Sequence, residues 1–303
     1  MEESFCDLSI KDLIEVGAHF GHQTHRWNPK MRIYIFEEKN GLYIIDLAKT
    51  LNQLRKVLPQ VCKVVKENKS ILFVGTKKQA KCVIKEAAIE AGEFFVAERW
   101  LGGMLTNMIT IRNSVKTLNK IERDLSQRTS YLTKKEIALL AKRRDKLLKN
   151  LEGVRYLKKN PGLMIVVDPG YEKIAVAEAK KLKIPVLALV DTNCDPTPID
   201  YVIPCNDDSL KSIRLIINVI KDNIIKTKKQ QGIEIISPIR VIEQDLIQDL
   251  PPPAIYPEEE FNSSLSASLL AGVDGFDNDS EKDEDCVKDG ILVKQDVSSE
   301  DPS

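Results

Sequence analysis

The sequence predicts an α/β fold: a doubly wound, mostly parallel sheet flanked by helices, with an antiparallel helical hairpin projecting from it. Three observations predict it. Residues 71–74 (ILFV) are an apolar run too short for a buried helix. The run stops at Gly75-Thr76, and Ala80, Val83, Ile84 and Ala87 then recur at helical spacing. A strand that is apolar along its whole length is covered on both faces, which is the parallel-sheet situation. The same pattern returns at 163–167 before Asp168-Pro169-Gly170, at 186–190 before Asp191-Thr192-Asn193, and at 200–203 before a last helix. Third, residues 110–151 are highly charged and carry a narrow helical apolar stripe on each side of a polar break.

Taken in order, residues 9–16 form a short helix. Ser9 is its N-cap and Asp12 the capping-box acid. Residues 17–32 read as a loop on their glycines and Asn28-Pro29. Apolar runs at 33–36 and 42–45 flank Asn40-Gly41, a hairpin signal. Residues 47–66 are an amphipathic helix on Leu51, Leu54, Val57, Leu58, Val61 and Val65. After the strand and helix at 70–88, another strand is expected at 94–97, followed by a turn at Gly102-Gly103.

In the hairpin, Ile111, Val115, Leu118, Ile121 and Leu125 stripe the first arm. Ile137, Leu140, Ala141, Leu147, Leu148 and Leu151 stripe the second, which opens on a Thr133/Glu136 capping box. Arms of about 17 residues reach roughly 25 Å at 1.5 Å per residue. Helices are expected at 172–182 and 208–229.

Charge balances overall at 45 basic against 45 acidic residues, but unevenly. Residues 1–231 carry 41 Lys and Arg against 27 Asp and Glu, net +14; residues 232–303 carry 4 against 18, net −14. A basic body suits a polyanionic partner. The competing reading is an ordinary solvated lysine surface. The expected division is therefore an α/β domain at 1–231, with the hairpin at 106–155, and an acidic, largely disordered extension at 232–303, whose composition cannot offset its ordering entropy. Residues 233–236 offer a short edge segment. The six cysteines make no Cys-x-x-Cys pair, which predicts free thiols in a reducing compartment. Residues 1–7 lack the basic region of a signal peptide. No apolar run approaches the roughly 20 residues of a membrane span. The expected location is cytoplasmic, with no membrane partner.

Three places lie beyond strand carboxyl ends, where ligands of such sheets gather: 75–78, 168–171 and 191–195. Two basic-aromatic loops accompany them. Arg26, Trp27, Lys30 and Arg32 cluster in the first, with a core anchor as the alternative role for Trp27; Arg99 and Trp100 form the second, for which a purely structural role is an equal alternative. Cations suit phosphates and indoles suit bases. With Lys77, Lys78 and Arg112 on the hairpin, these nine residues make the candidate RNA-binding set. All three histidines, His19, His22 and His25, fall in 17–32. No cysteine lies close enough to complete a four-ligand zinc site, and Asp191 or Asp195 enters only if the fold brings it near. The bland reading, hydrogen-bonding histidines in a packed loop, is preferred, and no metal or cofactor is assigned.

Enzyme signatures are missing. Gly75-Thr76-Lys77-Lys78 is neither Gly-x-Gly-x-x-Gly nor a phosphate loop, and there is no Gly-x-Ser-x-Gly elbow. Asp168, Asp191 and Asp195 sit at strand ends, but no nucleophile with a positioned base accompanies them. No catalytic residue is assigned. A small-molecule- or nucleotide-binding α/β protein is the alternative to nucleic-acid binding.

Six blocks also carry a resemblance: LIEVGAHFG (13–21), RWNPKM (26–31), GLYIIDLAK (41–49), ILFVGTKKQAK (71–81), ERWLGGMLTN (98–107) and VLALVDTNCDP (186–196). In this order they resemble the small-subunit ribosomal protein S-two family in its bacterial and plastid form, over about residues 8–229. The resemblance implies a structural, non-catalytic protein of the small ribosomal subunit, with an α/β domain and a coiled-coil hairpin. It implies binding to small-subunit ribosomal RNA at the junction of head and body. It also implies contact with neighbouring proteins, including the large RNA-binding protein S-one. The basic-aromatic loops match the family blocks residue by residue, whereas the acidic tail is not a family feature.

Overall fold

The computed structural model describes residues 8–127 and 132–235. The chain divides into two units, 1–248 and 249–303, and every described residue lies in the first. The predicted acidic extension falls outside the described residues except for 232–235, which include no strand.

Helix α1 (Ile10–Glu15) starts on the Ser9/Asp12 capping box that the sequence predicts. The 17–32 segment is more ordered than a loop. It holds strand β1 (Phe20–Gln23) and two 3-10 turns, Thr24–Arg26 and Pro29–Tyr34. Strand β1 pairs with β3 (Leu42–Ile45), which pairs with β2 (Ile35–Lys39), giving a small antiparallel sheet in the order β1-β3-β2. Asn40 and Gly41 both take positive φ, +54° and +75°, as a two-residue hairpin turn requires. Helix α2 (Leu47–Lys66) is capped by Asp46 and buries the predicted stripe.

The main sheet has five parallel strands: β4 (Ile71–Val74), β5 (Phe94–Val96), β6 (Leu163–Val167), β7 (Val186–Val190) and β8 (Tyr201–Pro204), in the order β5-β4-β6-β7-β8. The central strands β4, β6 and β7 are buried along their whole length. Alternate residues feed two cores. Ile71, Phe73, Ile165, Val167, Leu187 and Leu189 face α2, α3 (Lys81–Ala91) and α7 (Leu210–Gln230). Leu72, Val74, Met164, Val166, Ala188 and Val190 face α6 (Lys173–Lys181), Trp100, Met104, Leu105 and the hairpin root. Helices on both faces of a parallel sheet make the fold doubly wound α/β. Strand order reverses between β4 and β6, and the crevice at that reversal is where such sheets seat ligands.

The hairpin is α4 (Met108–Gln127) and α5 (Lys134–Leu151), with α5 opening on the Thr133/Glu136 capping box. Its stripes pack as predicted: Ile111, Leu118, Ile121 and Leu151 are buried, and Ile137, Leu140, Leu147 and Leu148 half-buried. A 3-10 turn (Glu152–Val154) joins α5 to the sheet, and Gly153 sits on β5. A Cβ added there would lie 2.2 Å from the Phe95 carbonyl oxygen. Arg155 of the same joint is only 5% exposed and forms a two-pronged ion pair with Glu122 of α4, at 2.6 and 3.3 Å. Cys62, Cys194 and Cys205 are free and buried. Among the described residues no helix is long and apolar enough to cross a membrane.

Candidate nucleic-acid interface

The carboxyl ends of β4, β6, β7 and β8 converge on an acidic centre built around one ammonium. Lys77 Nζ lies 2.6 Å from Asp207, 2.6 Å from Asp208 and 3.5 Å from Asp168. Burial opposes the Lys77 charge, but hydrogen bonds to Asp207 and Asp208 outweigh it, and the pKa rises. Asp207 is fully buried, and burial together with Asp168 and Asp191 pushes its carboxyl up. Beside it, Thr76 donates its backbone N–H and its hydroxyl to Glu172 across the β4/β6 crevice. The usual ligand seat of the sheet is therefore filled by the chain's own side chains.

The 17–32 segment closes over the end of β7. Asn28 N–H donates to the Thr192 carbonyl at 2.8 Å, and His22 N–H donates to Thr192 Oγ1 at 2.9 Å. Gly21 is required here, because a Cβ would meet Thr192 at 2.6 Å. His22 Nδ1 sits 3.1 Å from Asp191 and Nε2 3.3 Å from Asp208. The hydrogen bond to Asp191 raises the His22 pKa against the opposing effect of burial. His19 lies against Phe20 in a tilted ring pair with centroids 4.0 Å apart, and burial lowers its pKa; His25 is exposed. Of the three histidines, His22 is thus the one that reaches carboxylates. Potential ligand atoms of His22, Asp207 and Asp208 lie within 4.8 Å of one another, as do those of Asp168, Cys194 and Asp207. Lys77 already supplies a cation to this centre.

Five of the nine predicted residues lie exposed around this end of the sheet: Arg26, Lys30 and Arg32 on the 17–32 segment, Lys78 after β4 and Arg99 after β5. Lys30 pairs with Asp195 at 2.8 Å, and that bond, with Thr197, holds Asp195 down to about 2. The pair is solvent-exposed on both sides, so exchanging its carboxylate for a phosphate costs little. Trp27 is half-buried, with its ring tilted against Tyr43 at 4.9 Å, so it is partly anchored and partly accessible. Arg112 lies apart, exposed at the hairpin root, with its guanidinium donating to the Lys158 carbonyl.

Two residues need correction. Trp100 is 7% exposed, packs in the second core and donates its indole N–H to Glu178 at 3.1 Å; no ring face is left for a base. Lys77 is matched by three carboxylates inside the chain, so its charge is not offered outward. Sequence reasoning missed Asp207, Glu172 and Glu178. Asp207 was within reach of the strand-end rule, since it follows β8 as Asp168 follows β6. The two glutamates sit within helical sequence and carry no local signal.

Among known proteins, the family described as Ribosomal protein S2 matches residues 13–227. The small ribosomal subunit protein uS2 of Chlamydia felis is 82% identical over 245 residues, covering 81% of this chain and 90% of its own length. The uS2 protein of Chlamydia abortus is 79% identical over 261 residues, covering 86% and 94%. That of Protochlamydia amoebophila is 64% identical over 221 residues, covering 73% and 81%. The parallel sheet, the hairpin and these matches agree: the chain belongs to the ribosomal protein S2 family.

Proposed function

We propose that this protein is a structural, non-enzymatic constituent of the small ribosomal subunit, located with it in the cytoplasm, and that it binds small-subunit ribosomal RNA at the junction of head and body. Its RNA contacts are Arg26, Lys30, Arg32, Lys78 and Arg99 around the carboxyl end of the sheet, the half-buried Trp27, and Arg112 with the exposed cations of the hairpin. Neighbouring small-subunit proteins, S-one among them, are its protein partners, and residues 232–303 form a separate acidic extension. The observation that carries the reading is the family match over 13–227, borne on a body of net charge +14. Exposed Lys116, Lys120, Arg123, Lys142, Arg143 and Lys146 give the hairpin a second cationic surface. The alternative, a nucleotide-binding α/β protein, lacks an open seat, because Glu172 and Lys77 occupy the crevice.

Binding to small-subunit RNA across a salt series tests this. Phosphate contact makes log affinity fall linearly with log salt, by roughly 0.7–0.9 per phosphate neutralised. Reversing Arg26, Arg32 and Arg99 to Glu together should weaken binding and flatten that slope by about 2–3. A wild-type affinity indifferent to salt refutes the reading.

A further inference from the structure

We propose that Glu178 is the positioning residue of the helical hairpin, acting as an internal anion that assembles residues 100–106 and so sets the direction in which α4 leaves the body. Glu178 lies on α6 and is only 8% exposed. Five donors converge on its carboxylate. Oε1 accepts from Trp100 Nε1 at 3.1 Å and from Gly103 N–H at 2.7 Å. Oε2 accepts from the Leu105 and Thr106 N–H groups and from Thr106 Oγ1, each at 3.0 Å. A carboxylate has about four lone-pair sites and no donor, so it satisfies such a cradle where a neutral side chain cannot.

The cradle's position gives it consequence. Residues 97–107 link the end of β5 to the start of α4, none of them in a strand or helix, and 100–106 are the greater part of that link. Gly103 takes φ +85°, a backbone state that side chains rarely adopt. Three backbone donors within four residues, one hydroxyl and one indole therefore hang on one side chain from a different element. Without it, the buried Leu105 N–H and the part-buried N–H groups of Gly103 and Thr106 lose their acceptor, and the link has other conformations open to it. The hairpin's far end amplifies any change at its root, since α4 is 20 residues long.

The test uses the full-length protein as wild type, Glu178→Ala and Glu178→Gln. Amide exchange is read at Gly103, Leu105 and Thr106 and, for comparison, at Ile165 and Leu189 in the sheet. Spin labels introduced as non-natural amino acids at Leu139, exposed on α5, and Arg55, exposed on α2, report the hairpin's direction. In Glu178→Ala the loop amides should exchange roughly tenfold faster or more while the sheet amides hold, and the label distance should broaden. Added formate should narrow that distance again, where chloride at equal ionic strength does not. Glu178→Gln fills the same space but turns an NH2 toward donors; it should show the same loop exchange with no response to formate. The proposal is overturned if loop and sheet amides accelerate together in Glu178→Gln, if the label distance matches wild type in both variants, or if formate does no more than chloride. No RNA enters these readouts, so the outcome is separate from that of the RNA-binding reading.

Discussion

Lys77 carries the residue-scale lesson. It follows a buried strand within a Thr-Lys-Lys run, and the sequence offers no way to tell which of its two lysines turns inward. The structure separates them: Lys78 is exposed, while Lys77 is 16% exposed and faces Asp168, Asp207 and Asp208. Removing one partner of a buried pair strands the others, which typically costs about 3–5 kcal/mol. Lys77→Ala should lower the urea midpoint accordingly, whereas Lys78→Ala should leave it unmoved. The same centre sets a pH dependence. His22 has a raised pKa, so its contribution to stability is complete below its unfolded value near 6.5 and is lost as pH rises through the higher folded value. The raised carboxyl of Asp207 acts with the same sign at lower pH, since its ionisation is harder in the folded state. Stability measured by denaturant between pH 6 and pH 8 should therefore fall, and His22→Gln should flatten the fall. At Trp100 the structural of the two readings is the one the fold takes. An indole beside an arginine reads as a stacking platform, and only tertiary packing reveals Glu178 as its partner.

At the scale of elements, periodicity carried far. Helix α2, strands β4, β6 and β7, and both hairpin stripes were legible, because a covered strand and a one-sided helix leave different spacings in the chain. Both capping boxes were legible too, being local chemistry. Strand β1 was not. Its Phe-Gly-His-Gln sequence has no alternation, and it is a strand because β3 pairs with it. The joint between hairpin and sheet was equally silent, since Gly153 matters through a neighbour 58 positions away in sequence. Gly153→Ala forces its methyl against the Phe95 carbonyl and ring, so overpacking should cost at least about 1–3 kcal/mol. A thermal melt checks this, with Gly102→Ala as the control, since an added Cβ there meets nothing within 4 Å.

Over the whole molecule, charge is arranged by region. The first 231 residues hold net +14 and the remainder net −14, so the complete chain is neutral while its first 231 residues are not. A protein ending at residue 231 should bind unspecific RNA more tightly than the full chain at low salt, with a steeper salt slope, because the tethered carboxylates compete with phosphate. Filter binding with a homopolymeric RNA checks it, and equal slopes for the two lengths would remove the idea. Fold class and hairpin were legible at this scale. The accommodation of four carboxylates at one end of the sheet was not, since their meeting depends on strand order.

That end of the sheet has one more consequence. A customary berth taken by the chain's own glutamate and lysine is one that a free ligand would have to win from them. Dilution does not weaken that competition, because the occupant is covalently part of the chain. Such a scaffold is suited to permanent assembly, in which constancy is the useful property and sensing would be a fault.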